Sequence, residues 1–150
     1  MVDFRIVASN RKAYHNYTIL ETLEAGLVLS GSEIKSVRES RISLSEAYVK
    51  AENGELWLTG AHIARYDPAS YMGHEPTRRR RLLLRRKEIN RLFGKLQEKG
   101  LALVPLKVYI KERLAKLEIG LGRGKKLYDK RETTLRRDVE REMERALKRN

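Results

Sequence analysis

Two apolar stretches near residue 110 constrain the fold of this chain more than any other feature. Each has an apolar residue at every second position: Val104, Leu106, Val108 and Ile110 in the first, and Ala115, Leu117, Ile119 and Leu121 in the second. A period of two is typical of β-strands with one buried face. The segment Lys111-Glu112-Arg113-Leu114 is short enough for a turn, so the stretches predict antiparallel partners. Pro105 indicates an edge or a barrel seam, because proline cannot donate a hydrogen bond within a sheet.

The N-terminal third predicts one long strand and one short helix. A stretch dense in Tyr, Thr, Ile, Val and Leu runs from Tyr17 to about Leu29. Gly26 interrupts it, which suggests either a bulge or a close approach of another chain segment. Ser30 and Glu33 then have the spacing of a helix capping box.

The middle of the chain predicts a hairpin, a brief strand and a second helix. Residues 46–63 alternate around Asn53-Gly54, a pair suited to the positive φ angles of a tight turn. Leu82 to Leu84 predicts a brief strand. Residues 87–99 have apolar residues on one helical face, and Gly100 is placed to end that helix.

About six short strands and two helices therefore fall between residues 17 and 121. Antiparallel strands of this number with inserted helices predict a mainly β fold, a closed barrel of the oligonucleotide-binding (OB) type. We assign residues 1–122 to this barrel. Residues 123–150 lack a β pattern and are predicted to form a basic C-terminal tail.

The charge of the chain predicts a polyanionic partner. Its 33 basic and 20 acidic residues give a net charge of +13 and a pI near 10.2. Such an imbalance is typical of proteins that bind nucleic acid. A membrane partner is disfavoured, because no apolar run approaches the length of a bilayer span. The absence of cysteine is compatible with a cytoplasmic protein, and the spacing of the three histidines predicts no metal site.

Two patches combine cations in ways that suit RNA. The run Arg78-Arg79-Arg80-Arg81, followed by Arg85-Arg86-Lys87, abuts the apolar 82–84 segment, so its guanidinium groups are expected to face outward. Arginine binds phosphate oxygens with two parallel hydrogen bonds. Near the N-terminus, Arg11 and Lys12 lie beside Tyr14, His15 and Tyr17, whose rings could stack on bases or pack within a strand.

Residues 120–126, Gly-Leu-Gly-Arg-Gly-Lys-Lys, do not form a nucleotide-binding loop. The spacing of the glycines is wrong, and Lys126 stands where a P-loop needs Ser or Thr. The glycines predict either a flexible exit from the last strand or a backbone that approaches RNA phosphate. No nucleophile motif or cofactor motif accompanies them, so the sequence indicates a protein that is not an enzyme and has no cofactor.

The tail has two stripes at helical spacing. The apolar stripe comprises Leu135, Val139, Met143 and Leu147, and the basic stripe comprises Arg137, Arg141, Arg145 and Arg149. On a helix these stripes lie on roughly opposite faces. Because the apolar stripe is narrow and flanked by charge, we expect a helix that forms fully on a partner. The alternative is a helix packed on the barrel.

These segments together resemble the SsrA-binding protein family, SmpB, the protein partner of transfer-messenger RNA (tmRNA). The resemblance rests on motifs in a fixed order, from Asn10-Arg11-Lys12-Ala13 and Glu24-Ala25-Gly26, through residues 31–38, 76–78 and 81–84, to residues 120–131. One departure is Ser40, where many members have glycine. Another is Asn16, which replaces a common acidic residue.

The resemblance implies an OB-type barrel in a bacterial cytoplasm and a role in trans-translation. In that process, alanine-charged tmRNA, SmpB and elongation factor Tu enter a ribosome stalled on a message without a stop codon. The barrel would take the place of a tRNA anticodon arm, and the tail would probe the empty message channel at the decoding centre.

The resemblance also implies roles for individual residues. Asn10, Glu24 and Leu83 match the tmRNA surface, and Lys35, Arg38 and Lys125 match nearby phosphate contacts. Tyr128, Asp129, Lys130 and Arg131 match the segment at the decoding centre, which the basic stripe of the tail follows. Two rival functions stay open from the residues alone. One is a ribosomal or RNA-chaperone protein with the same barrel, and the other is an RNA-processing enzyme.

Overall fold

The computed structural model describes residues 4–66 and 74–125, together with Val139, residues 141–143 and Arg145. Residues 4–66 and 74–125 hold nine strands and three helices. The strands are β1 (Phe4–Ser9), β2 (Tyr17–Leu27), β3 (Ile42–Ser43), β4 (Tyr48–Glu52), β5 (Glu55–Thr59), β6 (His62–Ile63), β7 (Arg80–Leu83), β8 (Leu101–Lys111) and β9 (Leu114–Gly124). The helices are α1 (Arg11–Asn16), α2 (Gly31–Arg38) and α3 (Arg86–Leu96).

Seven of these strands form one antiparallel sheet in the order β1-β8-β9-β2-β7-β5-β4, and β3 pairs with β6. The mainly β, antiparallel class predicted from the sequence is therefore confirmed. The hydrogen-bonded order is that of an open sheet with β1 and β4 at its edges. Residues of β4 nevertheless lie close to β8, so the sheet curves strongly toward itself.

Both predicted turns are present. Asn53 and Gly54 have φ angles of 52° and 75°, as a tight hairpin turn requires. The β8–β9 hairpin turns through Glu112 and Arg113, whose φ angles are 51° and 70°. Neither of these two residues is glycine, so this second turn holds side chains in an uncommon backbone conformation.

The core lies on the concave side of the sheet, which we call the inner face. The whole predicted face of β9, Ala115 to Leu121 at alternate positions, is buried there. Helix α3 adds Leu92, with Phe93 and Leu96 packed against the core as its period predicts, and α2 adds Val37. Gly26 serves close packing, because a Cβ there would lie 3.3 Å from the Cβ of Leu83.

The prediction that the four apolar residues from Val104 to Ile110 share one face of β8 is wrong. Val108 and Ile110 belong to the inner core, whereas Val104 and Leu106 pack with Ala13 in a second cluster under α1. The cause is a β-bulge, in which Pro105 pairs with Ile119 and Lys107 with Glu118, leaving Leu106 as an extra residue. Pro105 thus lies at a bulge, outside the stretch 107–111 that pairs with β1 and on the part of β8 that approaches β4.

Other differences lie near the N-terminus and at the end of β9. Strand β1 and helix α1 occupy a segment for which the sequence predicts no regular element, and β1, β3 and β6 together raise the strand count from six to nine. Gly120 and Gly122 are in strand β9, where added Cβ atoms would meet Leu106 and Tyr17 at 2.9 and 3.0 Å. The flexible-exit reading is therefore wrong there, since β9 continues to Gly124.

Candidate nucleic-acid interface

Two of the six residues expected on the tmRNA surface, Glu24 and Leu83, lie close together on the outer face of the sheet. Gly26 follows Glu24 at the next outward position of β2 and pairs with Leu83 of β7. The Leu83 side chain is 51% exposed, and Leu20, four residues before Glu24 on β2, is 52% exposed. Single exposed leucines are ordinary on a protein surface, so Leu83 is a candidate contact because of its place beside Gly26 and close to Glu24.

The outward residues of β8 and β9 border this pair with lysines. Lys111 Nζ lies 3.7 Å from Glu24 Oε2, and Lys107 Nζ lies 3.2 Å from Glu118 Oε2. Lys116 forms no ion pair with any residue in the described part of the chain. We call the set Leu20, Glu24, Leu83, Lys107, Lys111 and Lys116 the Glu24 surface.

The Glu24 carboxylate is held by a tyrosine. Tyr109 Oη donates a hydrogen bond to Glu24 Oε2, and the Phe4 ring packs against the Tyr109 ring with centroids 5.0 Å apart. This bond lowers the pKa of Glu24, against the opposing effect of burial, and Lys111 and Lys116 lower it further. Burial, followed by the bond to Glu24, raises the pKa of Tyr109. Glu24 is therefore an ionised acceptor, and its Oε1 atom accepts no hydrogen bond from a described residue.

The other expected contacts lie elsewhere. Asn10 is 7% exposed, and its Nδ2 donates to the Pro105 carbonyl oxygen at 2.9 Å, so the structure gives its side chain an internal role. Lys125 follows β9, and its Nζ donates to the Tyr14 carbonyl oxygen at 3.1 Å. Asn10 and Lys125 thus flank helix α1 at opposite ends, and their roles toward RNA stay predictions.

Helix α2 carries the remaining two, Lys35 and Arg38, both exposed and one turn apart. The Lys35 ammonium lies 5.4 Å from the centroid of the Tyr66 ring. Arg38 donates through Nη2 to the Arg113 carbonyl oxygen at 3.4 Å. The capping box predicted at the start of this helix is present, with Ser30 and Glu33 each bonding the backbone N–H of the other.

The expectation that residues 78–81 point their guanidinium groups outward is wrong for Arg80. The alternation of β7 turns Arg80 inward, where it is 0% exposed. Its Nε donates to Glu33 Oε2 at 2.6 Å, and its Nη1 donates to the Ala61 carbonyl oxygen at 2.8 Å. Arg78 also binds Glu33. This part of the run is a structural network that ties β7 to α2.

Three exposed arginines of the run are paired. Arg79 binds Glu52 at 2.9 Å and lies 4.0 Å from the centroid of the Trp57 ring. Arg81 and Arg86 both bind Glu55, at 3.2 and 2.8 Å. These three arginines are therefore less available to phosphate than the sequence suggests.

Most of the tail lies outside the described residues, including the expected contacts Tyr128, Asp129, Lys130, Arg131, Arg137 and Arg149. Arg141 and Arg145 are described, and both are helical and exposed. Val139 and Met143 of the apolar stripe are helical too, and they are 50% and 62% exposed. These two apolar side chains are not part of the core.

Two further findings limit the possible chemistry. In the described residues no group of three or more His, Asp or Glu side chains could hold a metal ion. No helix among them is long and apolar enough to cross a membrane.

Sequence reasoning missed Tyr109, Lys107 and Lys111, although their alternation with the apolar face of β8 is a visible signal. It also missed Arg5 and Arg113, which lie beside Arg38 around one depression. No local pattern marks them, because residues 5, 38 and 113 meet only through the fold.

Comparison with known proteins gives a consistent answer. The family model described as SmpB protein matches residues 7–149. The chain is 52% identical over 148 residues to an SsrA-binding protein of Dehalococcoides mccartyi, which covers 99% of this chain and 86% of the relative. It is 57% identical over 145 residues to an SsrA-binding protein of Chloroflexus aggregans, covering 96% and 92%.

A solved structure is similar as well. It is described in the words "tmRNA-SmpB: a journey to the center of the bacterial ribosome". The matched chain superposes with a TM-score of 0.66 at 48% sequence identity, covering 79% of this chain and 84% of that one.

Proposed function

Because the chain belongs to the SmpB family, we propose that it binds tmRNA and is required for the association of tmRNA with stalled ribosomes. The observation that carries the proposal is identity of 52% to an SsrA-binding protein over 99% of the chain. The net charge of +13 fits a partner that presents phosphate over a large area. The task is then trans-translation, the rescue of ribosomes on messages that lack a stop codon.

We assign recognition of tmRNA to the β domain. The curvature that brings β4 close to β8 favours an OB-type barrel that closes along this seam. In the proposed complex the barrel, residues 1–122, holds the tRNA-like domain of tmRNA where a tRNA has its anticodon arm. Elongation factor Tu joins in delivery, and the work takes place in the bacterial cytoplasm.

At the centre of this contact we place Glu24 and Leu83. Tyr109 binds one Glu24 oxygen, which leaves Oε1 to accept a hydrogen bond from a base amine or a ribose 2′-hydroxyl. A carboxylate repels phosphate, so its contribution is selection of a donor and not general affinity. Leu83 offers an exposed apolar side chain to a base or sugar beside it.

The other residues that the family resemblance implies are assigned supporting roles. Lys35, Arg38 and Lys125 are assigned to phosphates. Asn10 acts by holding the β8 bulge through its bond to Pro105, so its effect on RNA would be indirect. Tyr128, Asp129, Lys130 and Arg131 are assigned to the decoding centre, and the basic stripe from Arg137 to Arg149 to ribosomal RNA in the message channel.

The test compares Glu24→Ala with Glu52→Ala for binding to the tRNA-like domain of tmRNA. Glu52 is a matched control, because it is a partly exposed strand carboxylate that pairs with Lys50 and Arg79 instead. Losing a hydrogen bond to a charged group costs about 1.5–3 kcal/mol, which corresponds to roughly tenfold weaker binding or more. The control should bind as the unchanged protein does.

A structured RNA of equal length that is unrelated to tmRNA completes the design. The unchanged protein should prefer the tRNA-like domain, and Glu24→Ala should reduce that preference. Equal binding of both RNAs by the unchanged protein would instead favour a general RNA-binding protein. Cleavage of either RNA would favour a processing enzyme.

A further inference from the structure

Three arginines that are far apart in sequence surround a depression of about 300 Å³ at one end of the sheet. Arg5 comes from β1, Arg38 from the last turn of α2 and Arg113 from the β8–β9 turn, and Ile110 forms the apolar part of the lining. All three arginines are exposed. We call this set of three the arginine cluster.

The cluster is preorganised by bonds to the backbone. Arg5 Nη2 donates to the Arg38 carbonyl oxygen at the C-terminus of α2, where helix carbonyls lack an intrahelical partner. Arg38 Nη2 donates to the Arg113 carbonyl oxygen at 3.4 Å. Each of these bonds links two elements, so the fold holds the guanidinium groups of Arg5 and Arg38 in place.

The cluster differs from the five paired arginines between residues 78 and 86 because it has no carboxylate partner among the described residues. No Asp or Glu oxygen of the described residues lies within 4.0 Å of its guanidinium nitrogens, although Glu39 and Glu112 are chain neighbours of two members. By contrast, Arg78, Arg79, Arg80, Arg81 and Arg86 all have glutamate partners. Three like charges held together without a counterion favour a bound anion.

We propose that the arginine cluster binds one phosphate group of the RNA backbone at the edge of the Glu24 surface. The inference rests on the proposed function and adds Arg5 and Arg113 to the contacts. The β8–β9 hairpin links the two places, because Lys111 pairs with Glu24 immediately before the turn that carries Arg113. Arg5 pairs with Ile110 of the inner face, so the cluster lies on the other side of the turn from Glu24. A strand of RNA that crosses Glu24 and continues over the turn brings its next phosphates to the cluster.

The test uses the double variant Arg5→Gln/Arg113→Gln and measures affinity for the tRNA-like domain across a range of salt concentrations. The matched control is Arg79→Gln/Arg86→Gln, which also removes two exposed guanidinium groups but takes them from glutamate partners. Each phosphate neutralised contributes about 0.7–0.9 to the slope of log affinity against log salt. The cluster variant should lower the slope by about that amount and weaken binding by about tenfold, and the control should leave the slope unchanged.

Two further variants separate binding from folding. Arg113→Gln alone disturbs no internal hydrogen bond of that side chain in the described structure, and it should still lower the slope. Arg5→Lys/Arg113→Lys keeps both charges and should restore most of the slope. A slope equal to that of the unchanged protein in both glutamine variants would overturn the proposal.

The source of the phosphate is tested with inorganic phosphate at matched ionic strength. It should compete weakly with RNA, because one free anion lacks the neighbouring contacts. If it binds the cluster tightly while the glutamine variants keep full RNA affinity, the site is for free anions and the proposal is wrong. A failure of the proposed function gives a different result. In that case the unchanged protein would not prefer the tRNA-like domain over the unrelated RNA.

Discussion

At the residue scale, the carboxylate of Glu33 joins two functions that are usually separate. It caps the N-terminus of α2 through the Ser30 backbone N–H, and it binds the guanidinium groups of Arg78 and Arg80. Both Glu33 and Arg80 are 0% exposed. A charge in such a place is stable only while its partner is present.

We expect Arg80→Met to lower the free energy of unfolding by about 3–5 kcal/mol, since it leaves the Glu33 charge buried with a single partner. Arg79→Met is the matched control on the neighbouring residue, whose pair with Glu52 is exposed, and it should cost less than about 1 kcal/mol. Urea denaturation of the three proteins measures both values. Equal stabilities of the two variants would mean that the buried pair contributes nothing specific.

The same carboxylate predicts a response to acid. Burial is the largest single influence on the pKa of Glu33 and raises it, but hydrogen bonds from Arg78, the Ser30 N–H and Arg80 together outweigh burial and leave the pKa below its ordinary value. The stabilisation is therefore complete above the unfolded-state pKa of about 4.3 and is lost as pH falls through the lower folded pKa.

We thus expect the stability difference between the unchanged protein and Glu33→Gln to be constant near neutral pH and to shrink below about pH 4. Thermal unfolding at a series of pH values measures it. Other carboxylates titrate in both proteins, so they cancel from the difference. A difference that persists unchanged at the lowest pH would contradict the assigned role.

At the scale of elements, the sequence predicted those whose signal is local. The Ser30–Glu33 capping box, the Asn53-Gly54 turn and the buried face of β9 follow from neighbouring residues, and all are confirmed. The faces of β8 were not predictable, because a bulge leaves no reliable trace in the alternation of apolar residues. Because Leu106 is apolar, it fits the alternating pattern whether its side chain faces the inner core or the second cluster.

Gly120 in β9 allows a test of how Leu106 packs at the β8 bulge. A Cβ on residue 120 would lie 2.9 Å from Leu106 Cδ1 and 3.2 Å from Ile19 Cγ2. We expect Gly120→Ala to destabilise the protein by about 1–3 kcal/mol through overpacking. Gly124→Ala, where nothing lies within 4 Å of the added atom, should change stability little. Chemical denaturation compares the stabilities of the two variants. Equal effects would show that the second cluster rearranges at little cost to hold the added methyl group.

At the scale of the whole molecule, the candidate site could be predicted only in part. The resemblance supplied Glu24, Leu83 and Arg38, but nothing in the sequence near Arg38 points to Arg5 or Arg113. The basic run was misleading for a related reason, since the partners of those arginines, Glu33, Glu52 and Glu55, lie earlier in the chain. Ion pairs formed in the tertiary structure decide which arginine side chains are free to bind RNA.

The division between barrel and tail stays a prediction, and truncation tests it. We expect removal of residues 131–150 to spare binding to the tRNA-like domain and to abolish tagging of stalled peptides. The core is complete at Leu121, Val139 and Met143 are at least half exposed, and the removed segment carries only +2 of the net charge of +13. Binding assays and a reconstituted tagging reaction measure the two activities. Tagging at the normal rate would refute a role for the tail.

The bulge described in β8 is one of three in the described strands, and together they have a consequence for how this chain can diverge. Val7, Leu106 and Leu20 are extra residues on β1, β8 and β2, all within four adjacent strands. They determine which residues of each strand face the core and which face the surface that carries Glu24. Adding or removing one residue here would exchange the two faces of a strand. Related genes should therefore vary freely in residue identity along these strands while insertions and deletions collect outside them.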